Sequence, residues 1–270
     1  MKIAIVGTGW IGKKMKYELL KRDHKVYEIP SKGWIAHLSG IKLDYIVNCA
    51  GHVGYPNVDS CEQDKNITYT ANAVLPIQIY DYCKEYNIKF AHFSSGCIYN
   101  GIIKSIYADP NFFGSTYSIS KGISDNFLKW RSLLFRIRMP FSGKHDQKNL
   151  LSKIYKYAKN GKLYENGQNS MTNIEEAIIM ACNLIEQRAT GPFNLVNEDT
   201  LSTHQIVSMM DLKDVKWYNE SEFNSNVKCA RSSCVIPSYE KMSNIEKSMF
   251  EAIKEWKIDY ESSGSNGNKI

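Results

Sequence analysis

The chain has 270 residues, 43% of them hydrophobic and 23% charged, which is globular composition and enough length for one large domain or for a dinucleotide-binding domain with a smaller lobe. No apolar run approaches the roughly 20 residues of a membrane span, and MKIAIVG enters a strand without the zones of a secretion signal, so a cytoplasmic protein with no membrane partner is expected. The formal charge of +6 is concentrated between Lys129 and Lys162, where ten Lys or Arg face one acidic residue, Asp146; this reads as a solvated face or as attraction for a polyanion such as a nucleotide diphosphate, while the lack of any nucleic-acid-binding motif argues against nucleic acid.

Strand and helix patterns alternate through the first half. Strands are expected at 2–6 (KIAIV), 25–29, 44–49 (DYIVNC), 87–94 (NIKFAHFS) and 133–137 (LLFRI). Helices are expected at 10–21, where Ile11, Met15 and Leu19 share a face, at about 60–86, and at 115–130. This order implies right-handed crossovers and an α/β fold: a Rossmann-type, doubly wound parallel sheet. Beyond Pro140 the pattern changes to helical segments near 149–160, 173–187 and 203–211 with short extended pieces such as 193–196. The expected division is therefore a dinucleotide-binding domain at 1–140, a smaller mixed substrate-binding lobe at 141–261, and a disordered polar tail at 262–270. Seven cysteines, Cys49, Cys61, Cys83, Cys97, Cys182, Cys229 and Cys234, form no CxxC, so neither a disulfide framework nor a metal site is expected.

Gly7-Thr8-Gly9-Trp10-Ile11-Gly12 is GxGxxG. The pattern alone is weak, but here it follows a strand and opens a helix, where glycines let the backbone approach a pyrophosphate and the helix N-terminus offers free N–H groups. The choice of dinucleotide stays open. Glu28 stands near the second strand's end, where a carboxylate would bind a ribose 2′-hydroxyl and favour NAD; Lys13, Ser31 and Lys32 lie close enough in sequence to receive a 2′-phosphate.

Tyr117-Ser-Ile-Ser-Lys121 is YxxxK at a helix start, which sets both side chains on one face. A phenol with a reference pKa of about 10 is a poor acid at neutral pH, and a nearby ammonium is expected to lower it so that it can protonate a carbonyl oxygen. The preceding strand ends in Ser94-Ser95, and a hydroxyl there can bond the same oxygen; Ser95 is assigned this role, with Ser94 as the second choice.

Strand, GxGxxG, NCAG (48–51), a serine-bearing strand end and YxxxK, in this order, resemble the extended short-chain dehydrogenase/reductases. Within them AGHVGYPNVDSCE (50–62), SSGCIY (94–99), PNFFGSTYSISK (110–121), FRIRMP (135–140), NLLSK (149–153) and NSMT (169–172) resemble the bifunctional 3,5-epimerase/4-reductases that form UDP-L-rhamnose, which are related to the dTDP-4-dehydrorhamnose reductases. The resemblance implies a nucleotide-linked 4-keto-6-deoxyhexose, whose ketone acidifies the protons on C3 and C5, and reduction of C4 with NADPH or NADH. It puts Cys97 and Lys153 on the epimerase acid/base positions, Ala50, Gly51 and His52 in the cofactor groove, and Asn57, Asp59 and Glu62 in a substrate-facing loop, where Asp59 also suits a helix N-cap. Asn149 and Arg231 become diphosphate contacts, UDP becomes the nucleotide, and a homodimer is the superfamily's expectation. Three features depart from the pattern: the glycine loop is one residue tighter than GxxGxxG, Arg231-Ser-Ser-Cys234 lacks the asparagines expected after that arginine, and the loop from Tyr99 to Pro110 is short. The competing readings are a reductase that relies on a separate epimerase and a non-catalytic cofactor-binding subunit.

Overall fold

The computed structural model describes residues 1–165 and 167–264. Strands β1 (Lys2–Val6), β2 (Lys25–Ile29), β3 (Tyr45–Asn48) and β4 (Lys89–Ser95) alternate with helices α1 (Trp10–Lys21), α2 (Lys65–Tyr69) and α3 (Leu75–Glu85). There follow β5 (Gly101–Ile102), α4 (Thr116–Leu128), β6 (Leu133–Ile137), β7 (Pro140–Phe141), α5 (Leu150–Asn160), β8 (Thr172–Asn173), α6 (Ile174–Glu186), β9 (Gly191–Asn194), α7 (Thr203–Met209), α8 (Glu220–Asn226), β10 (Cys234–Val235) and α9 (Ile245–Gly264). The six-stranded sheet has the order β2-β1-β3-β4-β6-β9 and is parallel throughout. Strand order reverses between β1 and β3, and the crevice outside the carboxyl ends of these two strands is where such a sheet binds ligands.

The strands are apolar because both faces are covered. On one face Ile3, Ile5, Val47 and Phe93 pack against α1 and α6; on the other Ala4, Ile46, Phe90 and Leu134 pack against α3 and its neighbours. A separate cluster built from Phe141, Leu151, Met171, Ile206, Met249 and Trp256 forms the core of the C-terminal lobe. Part of the segment assigned to that lobe belongs to the sheet instead: β9 pairs with β6 from Leu133↔Gly191 to Arg136↔Asn194, and α6 packs on α1. A four-residue strand beginning Gly-Pro shows little periodicity, which is why the sequence pattern placed it elsewhere.

The expected single helix over about 60–86 is broken. Asn57 caps a 3₁₀ turn at Val58–Glu62, α2 follows, and a π-helical turn at Thr70–Val74 leads into α3. The cause of the last break is Pro76, which has no N–H to give the carbonyl of Asn72; the Leu75 N–H reaches back to Thr70 instead. The polar tail also differs from expectation, since 262–264 complete α9; residues 265–270 lie outside those described. No described helix is long and apolar enough to cross a membrane.

Candidate active site

The glycine loop is shaped by contact. Gly7 has φ 97°, and a Cβ there would lie 2.5 Å from the backbone N of Ala50; one on Gly12 would lie 2.0 Å from the Gly7 carbonyl oxygen. Both are therefore required to seat α1 against β1 and β3. A Cβ on Gly9 would meet nothing nearer than the Lys148 ammonium at 3.7 Å, so this side of the loop is open. Gly9 caps α1, and among the described residues no side chain caps the helix N-terminus. Trp10 and Ile11 pack partly against the core. A free helix N-terminus, an open glycine and an ammonium fit a dinucleotide's pyrophosphate. Lys148, hidden in the basic run, was not singled out from the sequence.

Glu28 lies one residue before the strand end, and its carboxylate pairs with Lys16 of α1. Ser31 and Lys32, in contrast, line a cleft of about 950 Å³ between the end of β2 and helices α2 and α3. Lys13 is exposed in the first turn of α1.

The end of β3 is fixed by two asparagines. Asn48 accepts from the Ala50 N–H at 3.0 Å. Asn72, in the π-helical turn, accepts from the His52 N–H and donates to its carbonyl, each at 2.8 Å, and also donates to Ser120 of α4. The sequence pattern gave no sign of Asn72, because only the irregular turn aims it at the crevice. A Cβ on Gly51 would lie 3.2 Å from the Lys121 ammonium, so Gly51 makes room for that group. His52 is half-buried; among the described residues its Nε2 has no hydrogen-bond partner and lies 3.9 Å from the Asp64 carboxylate.

Tyr117 stands in the first turn of α4, an end secured by a Ser115–Ser118 capping box and by Glu62, which accepts from the Thr116 N–H and hydroxyl at 2.6 and 2.7 Å. Glu62 thus holds the helix that carries Tyr117, and the sequence expectation of a substrate contact is replaced by this anchoring role. Strand alternation separates the two serines. Ser94 donates to Asp125 at 2.7 Å inside the core, whereas Ser95 caps the turn carrying Cys97, and its hydroxyl favours the Tyr117 phenolate.

The electrostatics correct one expectation. Lys121 Nζ is buried and donates to the Phe93 carbonyl at 3.0 Å. Burial lowers its pKa to about 8, against Asp125 and the Cys49 sulfur, which favour the cation. The Tyr117 phenol is raised, not lowered: burial is the largest cause, the nearby Cys97 sulfur adds to it, and the Ser95 hydroxyl opposes both. A phenol that keeps its proton at neutral pH is a proton donor, as reduction of a ketone requires.

Cys97 is half-buried on the short 3₁₀ turn Gly96–Ile98 at the end of β4. Lys153 enters from α5; burial and then the Lys148 ammonium push it below the ordinary lysine value, while Asp146 and Cys97 oppose the change. Cys97 thus exerts a charge interaction on both Tyr117 and Lys153.

Three other expectations change. Asn149 is fully buried, caps α5 through Leu151, accepts from Ser142 and donates to the carbonyls of Ser142 and Lys144. Its hydrogen-bonding capacity is used up, which removes it as a diphosphate contact. Asp59 and Arg231 face each other in a bidentate pair at 2.8–2.9 Å that joins their two loops. Burial would raise the Asp59 carboxyl, but the guanidinium holds it below the ordinary range, and the Arg231 edge suited to a phosphate is occupied. The N-cap in the 57–62 loop is Asn57, which accepts from the Asp59 N–H at 2.9 Å and donates to Tyr157.

Residues 1–233 match the family described as the RmlD substrate binding domain. The chain is 30% identical over 81% of its length to an Arabidopsis thaliana trifunctional UDP-glucose 4,6-dehydratase/UDP-4-keto-6-deoxy-D-glucose 3,5-epimerase/UDP-4-keto-L-rhamnose-reductase, of which it spans 36%. It therefore spans about a third of the length of the first such relatives. It is 29% identical over 75% of its length to an Arabidopsis bifunctional dTDP-4-dehydrorhamnose 3,5-epimerase/dTDP-4-dehydrorhamnose reductase, of which it spans 71%. In fold it is similar to the UDP-rhamnose synthase of Acanthamoeba polyphaga mimivirus (TM-score 0.84, 24% identity, 94% of this chain and 99% of that one). It is also similar to a Bacillus anthracis dTDP-4-dehydrorhamnose reductase solved with NADP (TM-score 0.76, 19% identity, 96% of this chain and all of that one). With a parallel Rossmann-like sheet and a glycine loop at the switch of strand order, the chain belongs to the RmlD substrate-binding-domain family.

Proposed function

We propose that the chain converts a UDP-linked 4-keto-6-deoxyglucose to UDP-L-rhamnose with NADPH, inverting C3 and C5 before reducing C4. The observation that supports this reading is the charge interaction of Cys97 with both Tyr117 and Lys153: a reductase needs Tyr117 with Ser95, and two further proton-exchanging groups suit epimerisation. Gly7, Gly9, Gly12, the backbone at Trp10 and Ile11, and Lys148 would hold the cofactor's pyrophosphate, with Ala50, Gly51 and His52 lining its groove. Ser31 and Lys32 beside a cleft, with Glu28 engaged by Lys16, support NADPH over NADH. When bound, the dinucleotide supplies hydride to the ketone carbon. Tyr117 gives its proton to the ketone oxygen while Ser95 bonds the same oxygen. Before this, one of Cys97 and Lys153 removes a proton beside the ketone and the other returns one to the opposite face.

The test supplies UDP-4-keto-6-deoxyglucose and NADPH in deuterium oxide. UDP-L-rhamnose carrying deuterium at C3 and C5 is expected. Turnover of pre-epimerised substrate alone withdraws the epimerase half and leaves a UDP- or dTDP-4-dehydrorhamnose reductase, which the solved relatives support equally; a matched dTDP-sugar assay names the nucleotide. No turnover of either substrate defeats the reductase reading.

The pH profile of reduction checks Lys121 separately. Its ammonium favours the negative charge left on Tyr117 after proton transfer, and this cation is lost as pH rises through about 8. The kcat/KM for reduction should therefore fall roughly tenfold per pH unit above that value. A flat profile two units higher removes the cation from the mechanism.

A further inference from the structure

Arg138 follows β6 and is almost wholly buried, yet no carboxylate pairs with it among the described residues. Buried cations are ordinarily matched by an anion, as the Arg136–Asp125 pair two positions earlier shows. The partners of Arg138 are neutral with one exception. Nη2 donates to Asn169 Oδ1 and, at 2.8 Å, to the Ser232 carbonyl; Nη1 donates to the Ser232 hydroxyl at 3.1 Å and to Cys97 Sγ at 3.4 Å. The sulfur is the one contact that can itself become an anion.

The backbone is built around this contact. A Cβ on Gly96, the residue before Cys97, would lie 3.2 Å from the Arg138 Cβ, so the glycine lets the arginine stem lie along the turn that carries the sulfur. The Arg138 N–H is held by Thr172 at 2.9 Å, and the next residue, Met139, takes φ 41°, a left-handed conformation that is strained for a side-chain-bearing residue. The other titratable groups acting on or facing the sulfur are Tyr117 from α4, Lys153 from α5 and Cys234 from β10.

We propose that Arg138 is the counter-charge of the Cys97 sulfur, a positioning residue that holds this sulfur where it removes a proton from the carbon beside the substrate's ketone. This rests on the epimerase reading above. The C–H bond breaks, the proton goes to sulfur, and the C–H electron pair forms the enolate double bond as the carbonyl electrons move to the oxygen, beside Ser95 and Tyr117. The sulfur gives this proton up before the next turnover, and the guanidinium again faces the charge that returns.

The experiment reads the sulfur without any sugar present: the pH profile of Cys97 alkylation by iodoacetamide, with Cys97→Ser subtracting the other six thiols. Arg138→Met should move the profile to higher pH and slow alkylation at pH 7 by about tenfold or more, and Arg138→Lys should recover most of the rate. Asn169→Asp keeps the acceptor on Nη2 but adds a competing carboxylate, and it should move the profile the same way. Profiles unchanged in Arg138→Met and Asn169→Asp overturn the proposal; if Arg138→Met does not fold, an unchanged Asn169→Asp profile does so alone. Solvent deuterium in wild-type product separates the two ideas. None at C3 or C5 overturns the epimerase reading and the base assigned to Cys97, whereas incorporation beside a profile blind to Arg138 overturns only the counter-charge.

Discussion

Tyr117→Phe is expected to cut kcat for reduction of the 4-keto group by about 10²–10⁴-fold while leaving NADPH binding intact, the usual range for loss of a positioned general acid. The ring stays, so the helix start is undisturbed: its caps are Ser115, Ser118 and Glu62, none of which touches the phenol oxygen. What is lost is one proton, held on the phenol by burial and by Cys97. NADPH consumption under single-turnover conditions measures the chemical step, and a fluorescence titration measures binding. A variant with wild-type kcat would remove Tyr117 as the proton donor. Exchange of deuterium into the substrate by Tyr117→Phe, with reduction abolished, would in addition divide the two half-reactions between two sets of residues.

Asp125→Asn should cost about 3–5 kcal/mol of stability, because it leaves the Arg136 guanidinium buried without its anion. Both side chains are fully buried and meet through two contacts, Nε–Oδ2 at 2.8 Å and Nη2–Oδ1 at 2.7 Å; Ser94 adds a third bond to the same carboxylate. Burial works against the Arg136 cation, and Asp125 more than offsets it. The triad binds β4, α4 and β6 together below Tyr117 and Lys121, so the same change should loosen the site. It also removes a charge that favours the Lys121 cation, which should shift the alkaline fall in activity to lower pH. Thermal unfolding should show a midpoint lower by roughly 10 °C. The paired change Asp125→Leu with Arg136→Met should recover much of the loss, since well-packed apolar residues can replace a buried ion pair. A single variant within about 1 kcal/mol of wild type, by denaturant titration, would show that the pair is not what anchors α4.

The parts legible in the sequence were those with local causes. β1, α1 and GxGxxG are contiguous, and the steric demands on Gly7 and Gly12 arise within a short stretch of chain and its neighbour β3. YxxxK is one turn of one helix, and the buried strands announce themselves as apolar runs because both faces are covered. From these alone came the parallel sheet, the glycine turn between β1 and α1, and Tyr117 and Lys121 on one helix. Cys97 and Lys153 were reached through a resemblance of short segments, because no spacing relates two residues fifty-six positions apart.

What only the tertiary structure decided were the partners of polar side chains. Asp59 and Arg231 are 172 positions apart and were each read as facing substrate, yet they neutralise one another. Asn149 and Glu62 were given ligands and instead satisfy backbone groups at helix starts. Asn72 depends on a π turn that Pro76 imposes, and β9 reveals itself only by lying beside β6. The physical reason is common to all of them: hydrophobic periodicity is written along the chain, but a buried charge or amide must be satisfied by whichever group the fold brings within about 3 Å, and that neighbour has no signature in the sequence around it.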